Sequence, residues 1–527
     1  MLNIRKAFIQ GTGWTLAARF ASQLSSVATS ILVLRSLDQS AFGSYTLVLS
    51  WLTVVNVLAV SGPASVFGRY FPEWIRYGKL RTLRQLYVRG ALFSVVMLGA
   101  LLAAIYAFRR EIEIWLNING LSLYASFILV FLGVSCIQSL VEQSLRSMLM
   151  HKMAAGVVMI VAAIRLSGYV VFSAALSLPI VFVIESAALS FSLIASSVAL
   201  LWGSRTSGKL TCENSAVDYS RALRYGIFAW FNEIGAVLVG RASDVFIIGA
   251  MSGPVQVALY GFASRINAMV QYVFPLKEVT SVLRPVFVHV FANESRKQEL
   301  NVVVNAIMKG LFVIYAIPFA MFLVYGRWVT KVVFGSQYMD AVTVASIVVL
   351  GQVISGLFYA QGLVIILKER IDIALLSKGV ALVTVPAGIV AMNYVGITGV
   401  AVMTLIGDFL RNWIMHLWVV RKYDLKFRWR DLGRTMFGLL AVILVAKVAT
   451  PSTNDHWIVR SLWATATTVG LFTIAIFRHP FRSDEAHLVL KALLGSSVFS
   501  KLWKCPVVVR CRQFLAHCFP SAISSFR

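Results

Sequence analysis

The residues best able to do chemistry sit inside stretches made otherwise of Leu, Val, Ile, Ala and Phe, and many of them are arginines. Arg19, Gln23, Ser26 and Ser30 fall at offsets of 4, 7 and 11, one narrow stripe of a helix that turns about 100° per residue. Glu233 and Asp244 are eleven apart and nearly eclipsed on a continuous helix, with Arg241 about 80° and about 60° from them. Arg165, Glu185, Arg265, Asp408 and Arg411 complete the set, in which the cations are Arg and never Lys. Arg offers a planar fork of donors that grips phosphate or carboxylate bidentately, so several Arg facing one cavity suit an anionic cargo such as a diphosphate or an acidic sugar. Arg19, Gln23, Arg165, Arg241, Arg265 and Arg411 are therefore the candidate cargo-binding residues. Glu233, Asp244 and Asp408 are the candidates for coupling or gating, because a carboxylate in a drying cavity can take up a proton or hold a cation. Two readings stay open for Arg241 with Asp244 and for Asp408 with Arg411: each pair, at i,i+3, is either a cargo contact or an internal salt bridge. Glu233 is likewise either a coupling group or a structural carboxylate. Glu142 and Arg146, at i,i+4, read as a surface pair at a helix end.

The elements that must position these residues follow from composition. Of 527 residues 59% are hydrophobic and 13% charged, against about a quarter charged in soluble domains. Apolar runs of about 20 residues match a hydrocarbon core about 30 Å thick. Continuous apolar segments such as Val157 to Ala163 lack the in/out alternation of a barrel strand, so the spans are helices. About fourteen are expected, near 12–36, 42–68, 87–108, 121–143, 153–176, 178–203, 221–250, 255–290, 302–325, 341–366, 371–392, 396–420, 433–450 and 456–477. Mid-span charges must then be paired or face water, since each costs about 2.5–3.5 kcal/mol or more in lipid.

Charge sets the orientation. Arg69, Arg76, Lys79, Arg81, Arg84 and Arg89 follow span two, and Arg421, Lys422, Lys426, Arg428, Arg430 and Arg434 follow span twelve. The remaining even exits are also basic and the odd ones poor in Lys and Arg, so both termini are expected in the cytoplasm. The formal charge of +26 then reflects loops facing anionic lipid rather than nucleic acid. No Gly-x4-Gly-Lys-Ser/Thr phosphate loop occurs, so no cofactor is expected, and an ion gradient of H+ or Na+ is one candidate energy source. Cys505, Cys511 and Cys518, with His517, fit no zinc spacing and read as free thiols. Arg5 and Lys6 before the first apolar run resemble a signal peptide only superficially; that run is too long and lacks a small-residue cleavage site, and so reads as the first membrane helix.

A weak repeat divides the chain. Leu34 to Tyr45 and Ile248 to Tyr260 each read as a helix end, a short turn rich in small residues, and a Tyr opening the next helix, 215 residues apart. The expected fold is all-α and polytopic, with two six-helix lobes related by a parallel repeat plus two C-terminal helices. Its divisions are 1–210, 211–425, 426–480 and a basic interfacial tail, 481–527.

On Leu37-Asp38-Gln39-Ser40-Ala41-Phe42-Gly43-Ser44-Tyr45, on Ser243-Asp244 with Leu259-Tyr260, on Phe334-Gly335-Ser336-Gln337-Tyr338 and on Tyr394 to Ala401, the sequence resembles the polysaccharide-unit flippases of the multidrug/oligosaccharidyl-lipid/polysaccharide exporter superfamily. Ser36-Leu37-Asp38 stands where that family has Gly-Pro, and the basic tail aligns with nothing in it. The resemblance implies two lobes around a cavity that opens alternately to each side. It implies flipping of isoprenoid-diphosphate-linked oligosaccharide units to the outer leaflet of a bacterial inner membrane for lipopolysaccharide or exopolysaccharide assembly, among membrane lipids and other assembly proteins. Only Asp244 of the candidate residues lies in a matching motif. The competing expectations are a polymerase or ligase of the same pathway, which calls for a long catalytic outer loop, and a drug or ion exporter of the same fold, which calls for an acidic cavity. A major-facilitator transporter is disfavoured, because Gly78 to Arg84 lacks that group's Gly-x-x-x-Asp-Arg-x-Gly turn.

Overall fold

Every regular element among the described residues is a helix, as lipid demands of a chain that must satisfy its backbone internally. The computed structural model describes residues 4–76, 80–118, 120–148, 150–206, 219–273, 297–367, 370–423, 425–449 and 463–471. Nine described segments are long and apolar enough to cross a membrane, and the chain is a multi-pass membrane protein. Most of span fourteen, the tail and the cysteines at 212, 505, 511 and 518 lie outside the described residues, while Cys136 is a buried free thiol.

The chain forms two compact units, Met1–Glu278 with Trp328–Val348 and Ile371–Leu410, and Val279–Arg327 with Val349–Arg370 and Arg411–Arg527. The first unit begins with α1 (Ile4–Ser36) and α2 (Gln39–Asn56). Leu37 is buried at the turn between them, and Asp38 caps α2 by accepting from the Ser40 and Ala41 amides at 3.2 and 3.4 Å. A π-helical turn, Val57–Ser61, leads into α3 (Gly62–Arg76). The Val57 carbonyl accepts from Ser61 Oγ at 2.7 Å and from Trp230 Nε1 at 2.9 Å, as expected where a π turn disturbs the helical ladder. Then come α4 (Leu80–Ala107), α5 (Arg109–Trp115), α6 (Ala125–Ser147), α7 (His151–Val171) and α8 (Leu178–Thr206).

Span seven departs from expectation. The stretch read as one helix over 221–250 is α9 (Tyr219–Leu238), a break at Val239 and Gly240, and the start of α10 (Arg241–Val273). Glu233 and Asp244 therefore do not share a continuous helix face. The α10 chain turns again at Gly253, whose φ of 74° is open to glycine, and Pro254 starts the next segment. The repeat of turn and tyrosine is thus present, as Leu37-Asp38 before Tyr45 and Gly253-Pro254 before Tyr260.

The elements carrying the two tyrosines, α2 and α10, pack on each other through glycine. A Cβ at Gly43 would overlap the Pro254 carbonyl oxygen, and one at Gly261 would overlap the Thr46 side chain. Gly43→Ala is expected to destabilise by at least the ~1–3 kcal/mol of an overpacked core, because the obstacle is main chain and cannot swing aside. Thermal unfolding of the purified variant by fluorescence-detected gel filtration checks this, and a wild-type transition would refute it.

The connection after α4 is folded rather than loose. Glu113 accepts from the Gly120 amide and, at 3.0 Å, from the Ser122 amide, while Leu116 and Ile118 are buried. Hydrogen bonds from Ser122's side chain and from the Gly120 and Ser122 amides hold the Glu113 carboxyl below its usual 4.5, against partial desolvation. A depressed folded-state pKa contributes stability that is present above the unfolded value and lost as pH falls through the folded one. Protection of the Gly120 and Ser122 amides from hydrogen exchange, corrected for intrinsic rates, should collapse below pH 4.5. Glu113→Gln should remove that pH dependence, and an unchanged profile would break the argument.

The rest of the described chain comprises α11 (Lys297–Val329), a π turn Thr330–Phe334, α12 (Val342–Leu357), α13 (Tyr359–Leu367), α14 (Ile371–Ala381), α15 (Thr384–Val395), α16 (Ile397–Tyr423) and α17 (Trp429–Ala449). Within the second unit, fully buried Lys309 of α11 pairs with Asp431 of α17 at 2.9 Å. Asn305 also accepts from the Arg428 amide at 2.9 Å and donates to the Lys426 carbonyl at 3.0 Å, so α11 holds the connection between α16 and α17. His416 packs among Phe358, Trp413, Phe427 and Trp429, with its Nδ1 3.2 Å from Gln361 Nε2.

Candidate functional site

A cavity of about 660 Å³ lies within the first unit between α1, α2, α6, α7, α8 and α10. Five charged side chains line it: Arg146, Arg165, Arg265, Glu142 and Glu185. Of the stripe on α1, Ser26 and Ser30 line it as well.

Each charge is held by a neighbour. Arg165 of α7 donates from Nη2 to Glu185 Oε2 of α8 at 2.7 Å, and Tyr169, one turn beyond Arg165, donates its hydroxyl to Glu185 Oε1 at 2.9 Å. Glu185 is 11% exposed in its side chain and Arg165 32%, so this pair sits well inside the unit. The Arg265 guanidinium of α10 stands over the Tyr45 ring, 5.7 Å from its centroid, within cation–π range. Arg146 pairs with Glu142 one turn earlier on α6, and Glu142 in turn accepts weakly from Gln138 Nε2 at 3.5 Å. Gln138 also donates to Ser192 of α8, which ties the two helices together. The result is three cations, two anions and a lining of Ser, Thr, Gln and Tyr, able to bind a cargo with concentrated negative charge if the glutamates yield their arginines.

The candidate residues divide among several places. Arg165 and Arg265 share the cavity. Gln23 lies on α1 but does not line it, and its buried Oε1 accepts no hydrogen bond. Arg19 is in α1, with its side chain outside the described residues. Glu233 is exposed on α9. Arg241 and Asp244 belong to a second polar cluster. Asp244 accepts from the Tyr260 hydroxyl and, at 2.7 Å, from Thr404 Oγ1 of α16. With the Asn267 amide oriented to accept, its oxygen receives Arg241 Nη1 at 2.7 Å and Nη2 at 3.0 Å, and Gln271 Nε2 at 2.9 Å. Arg241 thus makes its fork-like contact with an amide. Asp408 lies one turn after Thr404 on α16, and Arg411 lies in the part of α16 that belongs to the second unit.

Sequence reasoning missed two things. Glu142 and Arg146, read as a surface pair, line the cavity. They share a face of α6 with Ser135 and Gln138, at offsets of 3, 4 and 4, and the stripe test applied to span one would have found them. Intramembrane lysines do occur: Lys309 is buried, and Lys378 of α14 donates to the Asn232 carbonyl at 2.7 Å and its side-chain oxygen at 3.0 Å. Among the described residues no group of three or more His, Cys, Asp or Glu could hold a metal ion.

Within the first unit, the end of α1 is tied to the turn before α12. Arg35 donates from Nε to the Val333 carbonyl at 2.7 Å and from Nη2 to the Val332 carbonyl. Gln39 donates to the Gln337 carbonyl, and Gln337 reciprocates to Leu34 at 3.0 Å. Beneath this latch Tyr338 stacks on Phe262 at 4.9 Å and meets Phe42 edge-on at 6.0 Å.

No family model matches the sequence, and no curated protein does. Solved structures do match. The lipid II flippase MurJ in an inward closed conformation superposes with a TM-score of 0.64 at 12% identity, over 87% of this chain and 98% of that one. An inward-facing multidrug resistance MATE family transporter of the MOP superfamily gives a TM-score of 0.60 at 14% identity, over 78% and 98%. The MATE multidrug transporter DinF-BH gives 0.56 at 14%, over 80% and 98%. The chain has the fold of these flippase and transporter structures.

Proposed function

We propose that this protein flips isoprenoid-diphosphate-linked oligosaccharide units from the cytoplasmic to the outer leaflet of a bacterial inner membrane, by alternating access, for surface-polysaccharide assembly. The observation that carries the proposal is the grouping of Arg146, Arg165 and Arg265 in one polar cavity of a membrane protein with this fold. A glycan head group cannot cross about 30 Å of hydrocarbon unaided, whereas an arginine-lined cavity hydrates it and leaves the isoprenoid tail in lipid. That a lipid II flippase shares the fold supports the reading.

The arginines act as the anion grip. Arg165 and Arg146 exchange their glutamates for diphosphate oxygens, and Arg265 leaves its ring contact for a charged one, so binding loosens the packing of α6, α7 and α8 around the cavity. The Arg35 and Gln39 latch closes the far side while the Arg146 side accepts cargo, and it must part for release. Both termini are then cytoplasmic. Asp244, with Tyr260 and Thr404, is the site for coupling to H+ or Na+, with Asp408 beside it. Arg241, fixed on Asn267, supports that cluster; Glu233, exposed on α9, is demoted from the coupling role. Arg19 and Gln23 lie on the same helix as the cavity's serines and extend the path along α1, and Arg411 is left outside it.

The test is to trap lipid-linked glycan in spheroplasts with and without the protein and probe from outside with a membrane-impermeant lectin. Protein-dependent access is expected; access independent of the protein would sink the proposal. Glu142 and Glu185 favour one second reading, a cationic-drug exporter. Protein-dependent extrusion of a cationic dye, without lectin access, would select it.

A further inference from the structure

A second, smaller cavity of about 350 Å³ opens at the latch end of the first unit, within the ~300–1,000 Å³ range of small-molecule sites. Three connections wall it: the turn from α1 to α2, the segment around Gly120, and Leu176 to Pro179 before α8. Its polar side chains are hydroxyls and one carboxylate, set beside Leu37, Ala41, Ile118, Leu176, Leu178 and Pro179. Ser36, Ser40, Ser44, Ser177 and Tyr124 present five hydroxyls, and Asp38 presents a carboxylate whose cap bonds use only Oδ2. No Lys or Arg lines it, which disfavours phosphate. Hydroxyls that donate and accept in turn, beside one acceptor-only carboxylate, match the vicinal diols of a neutral sugar.

The walls are fixed in advance of any ligand. Leu37, Leu116, Ile118 and Leu178 are buried anchors, and Glu113 holds the Gly120 and Ser122 amides. A preformed wall costs a ligand little ordering. The pocket also backs directly onto the latch. Arg35 and Gln39 reach across to Val333 and Gln337, whereas the alternate residues Ser36, Asp38 and Ser40 line the pocket, and Phe42 and Tyr45 of the same helix line the main cavity.

The geometry points to an outer subsite for a neutral sugar, which takes hold of the glycan as it leaves the main cavity. This rests on the proposed transport direction for its role, but not for its chemistry.

The test uses the full chain in phosphatidylcholine nanodiscs with maltotriose and methyl N-acetylglucosaminide as probes, read by saturation-transfer NMR. Transfer to at least one probe is expected. Ser177→Trp and Ser40→Trp, which fill the pocket from different walls, should each abolish it. Asp38→Asn should weaken it severalfold while keeping α2 capped, since Asn caps as well as Asp. No transfer to either probe, or transfer that survives both tryptophans, would overturn the subsite. A glycerol head group carries the same diol chemistry, so abolition of transfer by added phosphatidylglycerol would assign the pocket to lipid and overturn the glycan role. Flipping of lipid-linked glycan is scored in parallel. Pocket-dependent transfer without flipping supports the subsite and refutes the transport reading, whereas flipping without transfer refutes the subsite alone.

Discussion

Arg165→Met combined with Glu185→Leu gives a protein that inserts and unfolds like wild type but does not transport. The pair is the most enclosed charge contact lining the main cavity for which both partners are known, with Arg165 Nη2 at 2.7 Å from Glu185 Oε2 and Tyr169 on the other carboxylate oxygen. Arg165→Ala alone is a poor experiment. It leaves an 11% exposed carboxylate with only the Tyr169 hydroxyl, and breaking a buried pair from one side costs about 3–5 kcal/mol. Loss of transport would then be indistinguishable from loss of folded protein. Replacing both charges by apolar groups of similar volume is often neutral or stabilising, so the double variant separates the two. Expression and melting are followed by fluorescence-detected gel filtration, and flipping by lectin access. Wild-type transport by the double variant would make the pair structural and remove Arg165 from the anion grip.

Bridging the latch arrests transport as completely, and reversibly. Gln39 and Gln337 bond each other's segments in both directions, and Arg35 adds two carbonyl contacts one helical turn away. If this end must part once per cycle, a covalent tie holds the cavity open on one side only. Gln39→Cys with Gln337→Cys, joined by a short bis-methanethiosulfonate reagent, should abolish flipping, and reductant should restore it. Each single cysteine, treated identically, should remain active. A bridged protein that still flips would show that this end does not open.

Much of the architecture was legible before any coordinates, because membrane insertion writes itself into composition. Long apolar runs, basic even-numbered connections and the Tyr45 and Tyr260 turns are properties of local stretches, and lipid leaves such stretches few ways to fold. The break at Val239 and Gly240 was not legible, since one glycine inside an apolar run is common in unbroken membrane helices. That break undid the alignment of Glu233 with Asp244. Cavity-lining residues were legible where a polar side chain had to be explained away from lipid, as with Arg165 and Arg265. They were missed where position gave an easy alternative: Glu142 and Arg146 lay near a helix end, where charge is ordinary. Which helix faces converge is a tertiary fact, so Arg241 could be placed on a polar face but not on Asn267.

The pairing of the cavity's cations has a consequence for what the empty protein ignores. Chloride outnumbers any lipid-linked glycan, and a cavity of bare arginines would be clogged by it. Here Glu142 and Glu185 each hold one Nη2 group, of Arg146 and Arg165 respectively. A monovalent ion offers one charge and no bidentate fit, and so displaces neither carboxylate. A diphosphate spans several donors at once and can. On the transport reading proposed above, the two glutamates act as a resident filter that keeps the site vacant against chloride until a polyanionic head group arrives.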